Sequence, residues 1–224
     1  MTFSITGRCA KTGQMGIAIS SSSIAVGARC PWVRPGIGAV STQNVTLPAL
    51  GNRVLDQLVL GATPEDARDL ALASDPYSQY RQLTVIDRFG NAAHFSGSET
   101  LGRHNAVIGE QCVGAGNMLA DESVIVALVR AFESAEGQLA DRLIAAMQAA
   151  MAAGGEAGPV HSAALVVVGE QAWPIVNLRV DWADEDPIGT LAQLWNDYRP
   201  QMQDYITRAL DPTQAPRYGV PGDE

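Results

Sequence analysis

Thr2-Phe3-Ser4-Ile5-Thr6-Gly7-Arg8-Cys9, Ala10-Lys11-Thr12-Gly13 and Gln14-Met15-Gly16-Ile17-Ala18-Ile19-Ser20-Ser21 follow one another at the start of the chain. The first and third pieces are short and β-rich, and the middle one carries turn residues ending in glycine. This pattern predicts a β-hairpin. Working outward, Ile24 to Val33 and Gly38 to Gln43 read as further strands, broken by Arg34-Pro35-Gly36. The period then changes. Leu50, Val54, Leu55, Leu58 and Val59 recur at helical spacing, and Gly61 supplies the stop. Thr63-Pro64-Glu65-Asp66 reads as a capping box with proline at the first helical position, opening a helix through Leu72.

Beyond it, Gln82 to Asp87 and Ala92 to Ser96 form a hairpin around Arg88-Phe89-Gly90-Asn91, and the glycine-rich stretch from Val107 to Asn117 is expected to close the same β layer. Asp121 can cap a helix running through Phe132, and Leu139 to Met151 makes another. Ser162 to Val168 and Trp173 to Asp181 pair around Gly169-Glu170. Asp186-Pro187 opens a final helix read through Leu210, with a frayed tail after Pro212. Paired helices between hairpins do not suit a parallel βαβ repeat. They suit an α+β fold built as a four-layer αββα sandwich, two antiparallel sheets between helix layers. The same order also fits an α+β fold of different topology. Residues 1–210 are read as one domain and 211–224 as its C-terminal tail.

The chain has 224 residues, 46% of them hydrophobic and 17% charged, with a net charge of −9. Lys11 is the only lysine. Basic stripes able to neutralise phosphate are missing, which argues against nucleic acid as a partner and against an anionic membrane surface. No apolar run is long enough to span a membrane, and no signal peptide is visible. Cys9, Cys30 and Cys112 are widely spaced and form no C-x-x-C pair, so they read as small hydrophobes in a reducing cytoplasm. His94, His104 and His161 lack ligand spacing and are read as surface or hydrogen-bonded core residues. Gly114-Ala115-Gly116 lacks the third glycine of a dinucleotide loop. Neither a metal nor a cofactor is expected.

With no Ser–His–Asp or Cys–His set in view, a hydrolase here needs another base. An α-amino group, with a pKa of about 7.7–8.0, is far more often neutral at pH 7 than a lysine. On a threonine it can take the hydroxyl proton itself, so nucleophile and base share one residue. Met1 before Thr2 is the usual context for removal of the initiator methionine, which would expose that amine. The plainer reading makes Thr2 the second residue of an ordinary strand. Ser21 would lie beside it if the hairpin pairs as read, as a partner of the nucleophile or as a common strand hydroxyl. Asn117 could donate to an oxyanion or cap a turn. Thr42 and Gln43 could line the cleft, and Arg34 could meet a substrate carboxylate or lie free on a turn. Arg179 and Asp181, two apart on one strand, read as an ion pair.

Thr2-Phe3-Ser4-Ile5, Gly16-Ile17-Ala18-Ile19 with Ser21, and Ala25-Val26-Gly27 together resemble the opening of the DUF1028 family, uncharacterised proteins placed in the N-terminal-nucleophile (Ntn) hydrolase superfamily. Trp32, Gly36-Ile37-Gly38-Ala39-Val40 and Thr42-Gln43 continue the likeness. Tyr80-Arg81-Gln82-Leu83, Gly97-Ser98-Glu99, Gly116-Asn117-Met118-Leu119, Ser162-Ala163-Ala164-Leu165 and Leu178-Arg179-Val180-Asp181 follow in family order, to about Leu194. The resemblance implies the αββα sandwich and an amide-bond hydrolase but no substrate, and the expected reaction is hydrolysis of the C–N bond of a small-molecule amide. Ser22 departs from it, since many relatives carry a basic or histidine side chain there. A non-catalytic metabolite-binding or assembly protein on the same fold is the competing expectation. A homo-oligomer is expected, and Trp195 and Tyr198 on the last helix could serve an interface or the core.

Overall fold

The computed structural model describes residues 1–219. The hairpin is β1 (Thr2–Arg8) and β2 (Met15–Ser21), followed by β3 (Pro31–Arg34) and β4 (Gly38–Asn44). Helices α1 (Ala49–Val59) and α2 (Pro64–Ala73) precede β5 (Arg81–Asp87), β6 (Ala92–Ser96), β7 (Asn105–Gly109) and β8 (Cys112–Asn117). Then come α3 (Ser123–Ser134), α4 (Leu139–Ala152), β9 (Ser162–Val168), β10 (Pro174–Val180), α5 (Pro187–Tyr198) and α6 (Met202–Leu210). One sheet runs β10-β9-β2-β1-β8-β7 and the other β3-β4-β5-β6, with antiparallel pairing throughout.

The two faces of each strand explain the layers. On β1, Phe3 and Ile5 turn outward into a core shared with α3, α4 and α5. Val40, Leu83 and Val85 turn outward to meet α1 and α2. Helices therefore cover both outer faces, and the molecule is a four-layer αββα sandwich. The inner faces meet each other. Around β2, β3 and β9 that contact is apolar, through Ile17, Ile19, Ala39, Ile86 and Ala164. Around β1, β4, β5 and β8 it is polar: Ser4 Oγ donates to Gln43 Oε1 at 2.7 Å, and Thr6 and Thr84 share a hydrogen bond of 2.8 Å. Gln43 Nε2 donates to Gln82 Oε1 at 2.8 Å, and Gln82 Nε2 donates to the Gly116 carbonyl at 3.0 Å. Buried amides persist in a core only when paired in this way.

Local signals act where expected. Thr63 caps α2 by accepting from the Asp66 N–H at 3.2 Å, and Gly61 takes φ +91° after α1. Asp121 accepts from the Ser123 N–H at 2.9 Å at the start of α3. Three expectations are corrected. Ile24 to Val33 is not one strand: Ala25 adopts φ 52°, Val26–Ala28 is a 3-10 turn, and only Pro31–Arg34 pairs. Gly27 lies so close to β9 that a Cβ there would sit 2.4 Å from that of Ala164. Val107 to Asn117 does not close the layer of β5 and β6: it falls in the β7–β8 hairpin, which joins β1 in the other sheet. The final helix is two helices, because Pro200 has no N–H to continue the ladder after α5.

The described part of the tail folds back on α6. Arg208 lies 3.9 Å over the Tyr218 ring and donates to the Pro216 carbonyl at 2.8 Å. The last residues of the expected tail, 220–224, lie outside the described residues. Trp195 belongs to the core, and the Tyr198 hydroxyl donates to the Ile175 carbonyl at 3.0 Å. Among the described residues, no helix is long and apolar enough to cross a membrane.

Candidate active site

Strand register brings three of the expected residues together. Thr2 is the register partner of Ser21 on β2 and of Asn117 on β8. All three have the inner-face parity of Ser4 and Thr6, so they meet at one end of the sandwich rather than in the outer cores. Thr2 is 6% exposed, and its hydroxyl lies 3.1 Å from that of Ser21. Ser21 Oγ also accepts from the Ser23 N–H at 3.1 Å. Asn117 Nδ2 donates to Gln82 Oε1 at 3.0 Å, which anchors it to the opposite sheet.

Met1 occupies the mouth of this end. Its carbonyl oxygen accepts hydrogen bonds from the hydroxyls of both Thr2 and Ser21. Beside it lies Glu156, which the sequence reading did not single out. Glu156 follows Gly154-Gly155 after α4, where nothing in local spacing marks it as special. A β-bridge to Leu119 and a backbone bond from Ala157 N–H to the Met118 carbonyl (2.9 Å) hold its segment against the end of β8. Its Oε2 accepts from the Ser22 N–H at 3.3 Å, while its Oε1 is buried with no hydrogen-bond partner among the described residues. Burial pushes the Glu156 carboxyl up to about 8, and the Met1 ammonium pulls in the opposite direction.

The remaining expected residues lie elsewhere. Gln43 is buried inside the inter-sheet network, bonded to Ser4, Gln82 and the Ala115 carbonyl. Thr42 turns to the outer face, where its hydroxyl reaches the Leu47 carbonyl at 3.4 Å. Arg34 pairs with Asp56 at 2.8 Å, and its register partner Gly38 is the end of β4 opposite to Asn44. Because Ser4 meets Gln43 and Thr6 meets Thr84 opposite Ser41, that end is remote from Thr2. Lys11, in the β1–β2 turn, is likewise at the far end of β1. His161 donates its backbone N–H to the Ser21 carbonyl at 2.9 Å, but its ring stacks on Trp182 at 4.3 Å. Arg179 and Asp181 form a two-pronged ion pair at 2.7 and 3.0 Å.

The family model described as a family of unknown function, DUF1028, matches residues 2–191. The crystal structure of protein SPO2555 from Silicibacter pomeroyi, itself assigned to DUF1028, is 35% identical with a TM-score of 0.83 over 88% of each chain. Two proteins named Anbu also align. That of Yersinia bercovieri, described as an ancestral beta-subunit, is 10% identical at a TM-score of 0.43, over 97% of this chain and 100% of its own. That of Hyphomicrobium sp. strain MC1 is 11% identical at 0.43, over the same shares. Both are too distant to inform the chemistry. No curated protein matches. With nearly the whole sandwich inside the family match and a close relative of the same shape, the chain belongs to the DUF1028 family.

Proposed function

We propose that this protein is an Ntn-type amidohydrolase that cleaves the C–N bond of a small-molecule amide with Thr2 as nucleophile. The observation that carries the reading is the convergence of Thr2, Ser21 and Asn117 on one inner-face end of the sandwich, with the Thr2 and Ser21 hydroxyl oxygens 3.1 Å apart. Removal of Met1 frees the Thr2 amine. The amine takes the proton of Thr2 Oγ1 as that oxygen attacks the substrate carbonyl carbon. Ser21 Oγ and the Asn117 amide stabilise the oxyanion, the place Met1's carbonyl oxygen now takes beside Ser21. The C–N bond breaks, and the departing amine leaves with the proton held by the Thr2 ammonium. Water then attacks the threonyl ester, its proton passes to the amine and on to Thr2 Oγ1, and the carboxylic acid departs.

Intact-mass measurement followed by a screen of small amides tests this reading. Met1 should be absent from the active protein, and Thr2→Ala should abolish turnover with the fold unchanged. Persistent Met1, or activity in Thr2→Ala, rejects it. The competing reading, a metabolite-binding or assembly protein, is favoured by one observation. With Met1 in place, its carbonyl occupies both hydroxyls of the site. In that form Thr2 has no free amine to act as base, so a metabolite held there would not turn over.

A further inference from the structure

Met1 records what the space in front of Thr2 accepts. Its carbonyl is held by the Ser21 and Thr2 hydroxyls. Its side chain runs against Gly158, where a Cβ would stand 3.0 Å from the Met1 Cε. Its ammonium lies within electrostatic reach of Glu156. That carboxyl is only 5% exposed, and its Oε1 has no hydrogen-bond partner among the described residues. A carboxylate oxygen buried without a partner is costly unless a cation or donor fills the place opposite it.

The position of Met1 also bears on the reacting group. In an N-terminal threonine the amine and the hydroxyl sit on adjacent carbons, and an acyl group passes between them through a small ring. An acyl group on the Thr2 nitrogen, as Met1 is, therefore occupies nearly the space of one carried by Thr2 Oγ1. Met1 stands in for the acyl part of a substrate: carbonyl on Ser21, side chain over Gly158, α-ammonium within electrostatic reach of Glu156.

Resting on the reading of Thr2 as nucleophile, we propose that the substrates are amides of α-amino acids with a free amino group, and that Glu156 binds their α-ammonium. On binding, the ammonium draws the proton off the buried Glu156 carboxyl and pairs with the carboxylate so formed, whereas an amide lacking the amine leaves Oε1 without a partner. The free amine thus selects the substrate at the end opposite to the scissile bond. Gly158 leaves room there for the side chain of the amino acid.

The test uses protein shown by mass to lack Met1, with two ligands of nearly equal shape, alaninamide and propanamide. Calorimetry should show alaninamide binding tighter by about tenfold or more, as one charge-assisted hydrogen bond allows. Glu156→Gln should erase that preference, so that the two ligands bind alike. Equal binding of the two ligands by the wild-type protein overturns the proposal, even if the variant does not fold. A Glu156→Gln protein that loses turnover of both amides alike also overturns it, because the carboxyl would then serve the Thr2 amine. If the preference persists but neither amide is hydrolysed, the Glu156 pocket stands and only the nucleophile reading falls.

Discussion

Thr2 and Ser21 face each other hydroxyl to hydroxyl at 3.1 Å, the last register pair of β1 and β2. Ser21 gains this position from the strand period: Ile17 and Ile19, four and two residues earlier, point to the same inner face. The hydrophobic filling of that face stops one pair short of the end, and a polar group takes over where the site opens.

Ser21→Ala is expected to lower amide turnover by about a hundredfold, the usual cost of one donor to a developing oxyanion. Stability should fall by only about 1 kcal/mol, for the loss of bonds at a strand end. Steady-state kinetics alongside urea unfolding separates the two. A stability loss without a loss of turnover would place Ser21 outside the chemistry.

Glu156 gives stability an identifiable pH dependence. Its carboxyl titrates near 8 in the folded chain against an ordinary value of 4.5, so the folded state holds the proton more tightly than the unfolded state does. The stabilisation from this group is complete below about pH 4.5 and is lost as pH rises toward 8. Relative to Glu156→Gln, which cannot ionise, the wild-type protein should lose on the order of 2–4 kcal/mol between pH 5 and pH 8. Thermal unfolding of the pair at several pH values measures it, and parallel curves would contradict the burial of this carboxyl.

Gln82 is fully buried between the sheets. Its amide accepts from Gln43 and Asn117 and donates to Ser96 and the Gly116 carbonyl. Gln82→Ala leaves two buried amide donors without their acceptor, and is expected to cost about 2–4 kcal/mol in denaturant unfolding. Asn117 also loses its anchor, so turnover should fall more than in a variant of similar instability remote from the site.

Gly51 sits inside α1, where alanine would ordinarily favour the helix by about 1 kcal/mol. Here a Cβ would stand 2.2 Å from Trp32 Cγ and Cδ1. Gly51→Ala is therefore expected to destabilise, by about 1–3 kcal/mol, because close packing outweighs propensity. A gain in melting temperature would show that Trp32 swings aside freely.

Much of the architecture was written in local sequence. The first hairpin, the Thr63 cap, the stop at Gly61 and the β5–β6 and β9–β10 hairpins follow from period, turn chemistry and capping, which act between near neighbours. The break at Pro200 was local too, and reading one helix through Leu210 overlooked the missing N–H. What tertiary structure alone decided is non-local. A period of two separates the faces of β1, yet it does not say that the polar face, Ser4 and Thr6, turns inward against a second sheet. Nor does it say that β7 and β8 leave their chain neighbour β6 to join β1, which is what sets Asn117 beside Thr2. Glu156 is the sharpest case. Its neighbours Ser22 and Leu119 lie far from it in the chain, and its chemistry comes from burial, a property of the assembled fold. Thr2, by contrast, was marked by its place behind Met1, and the packing of the sheets supplied its surroundings.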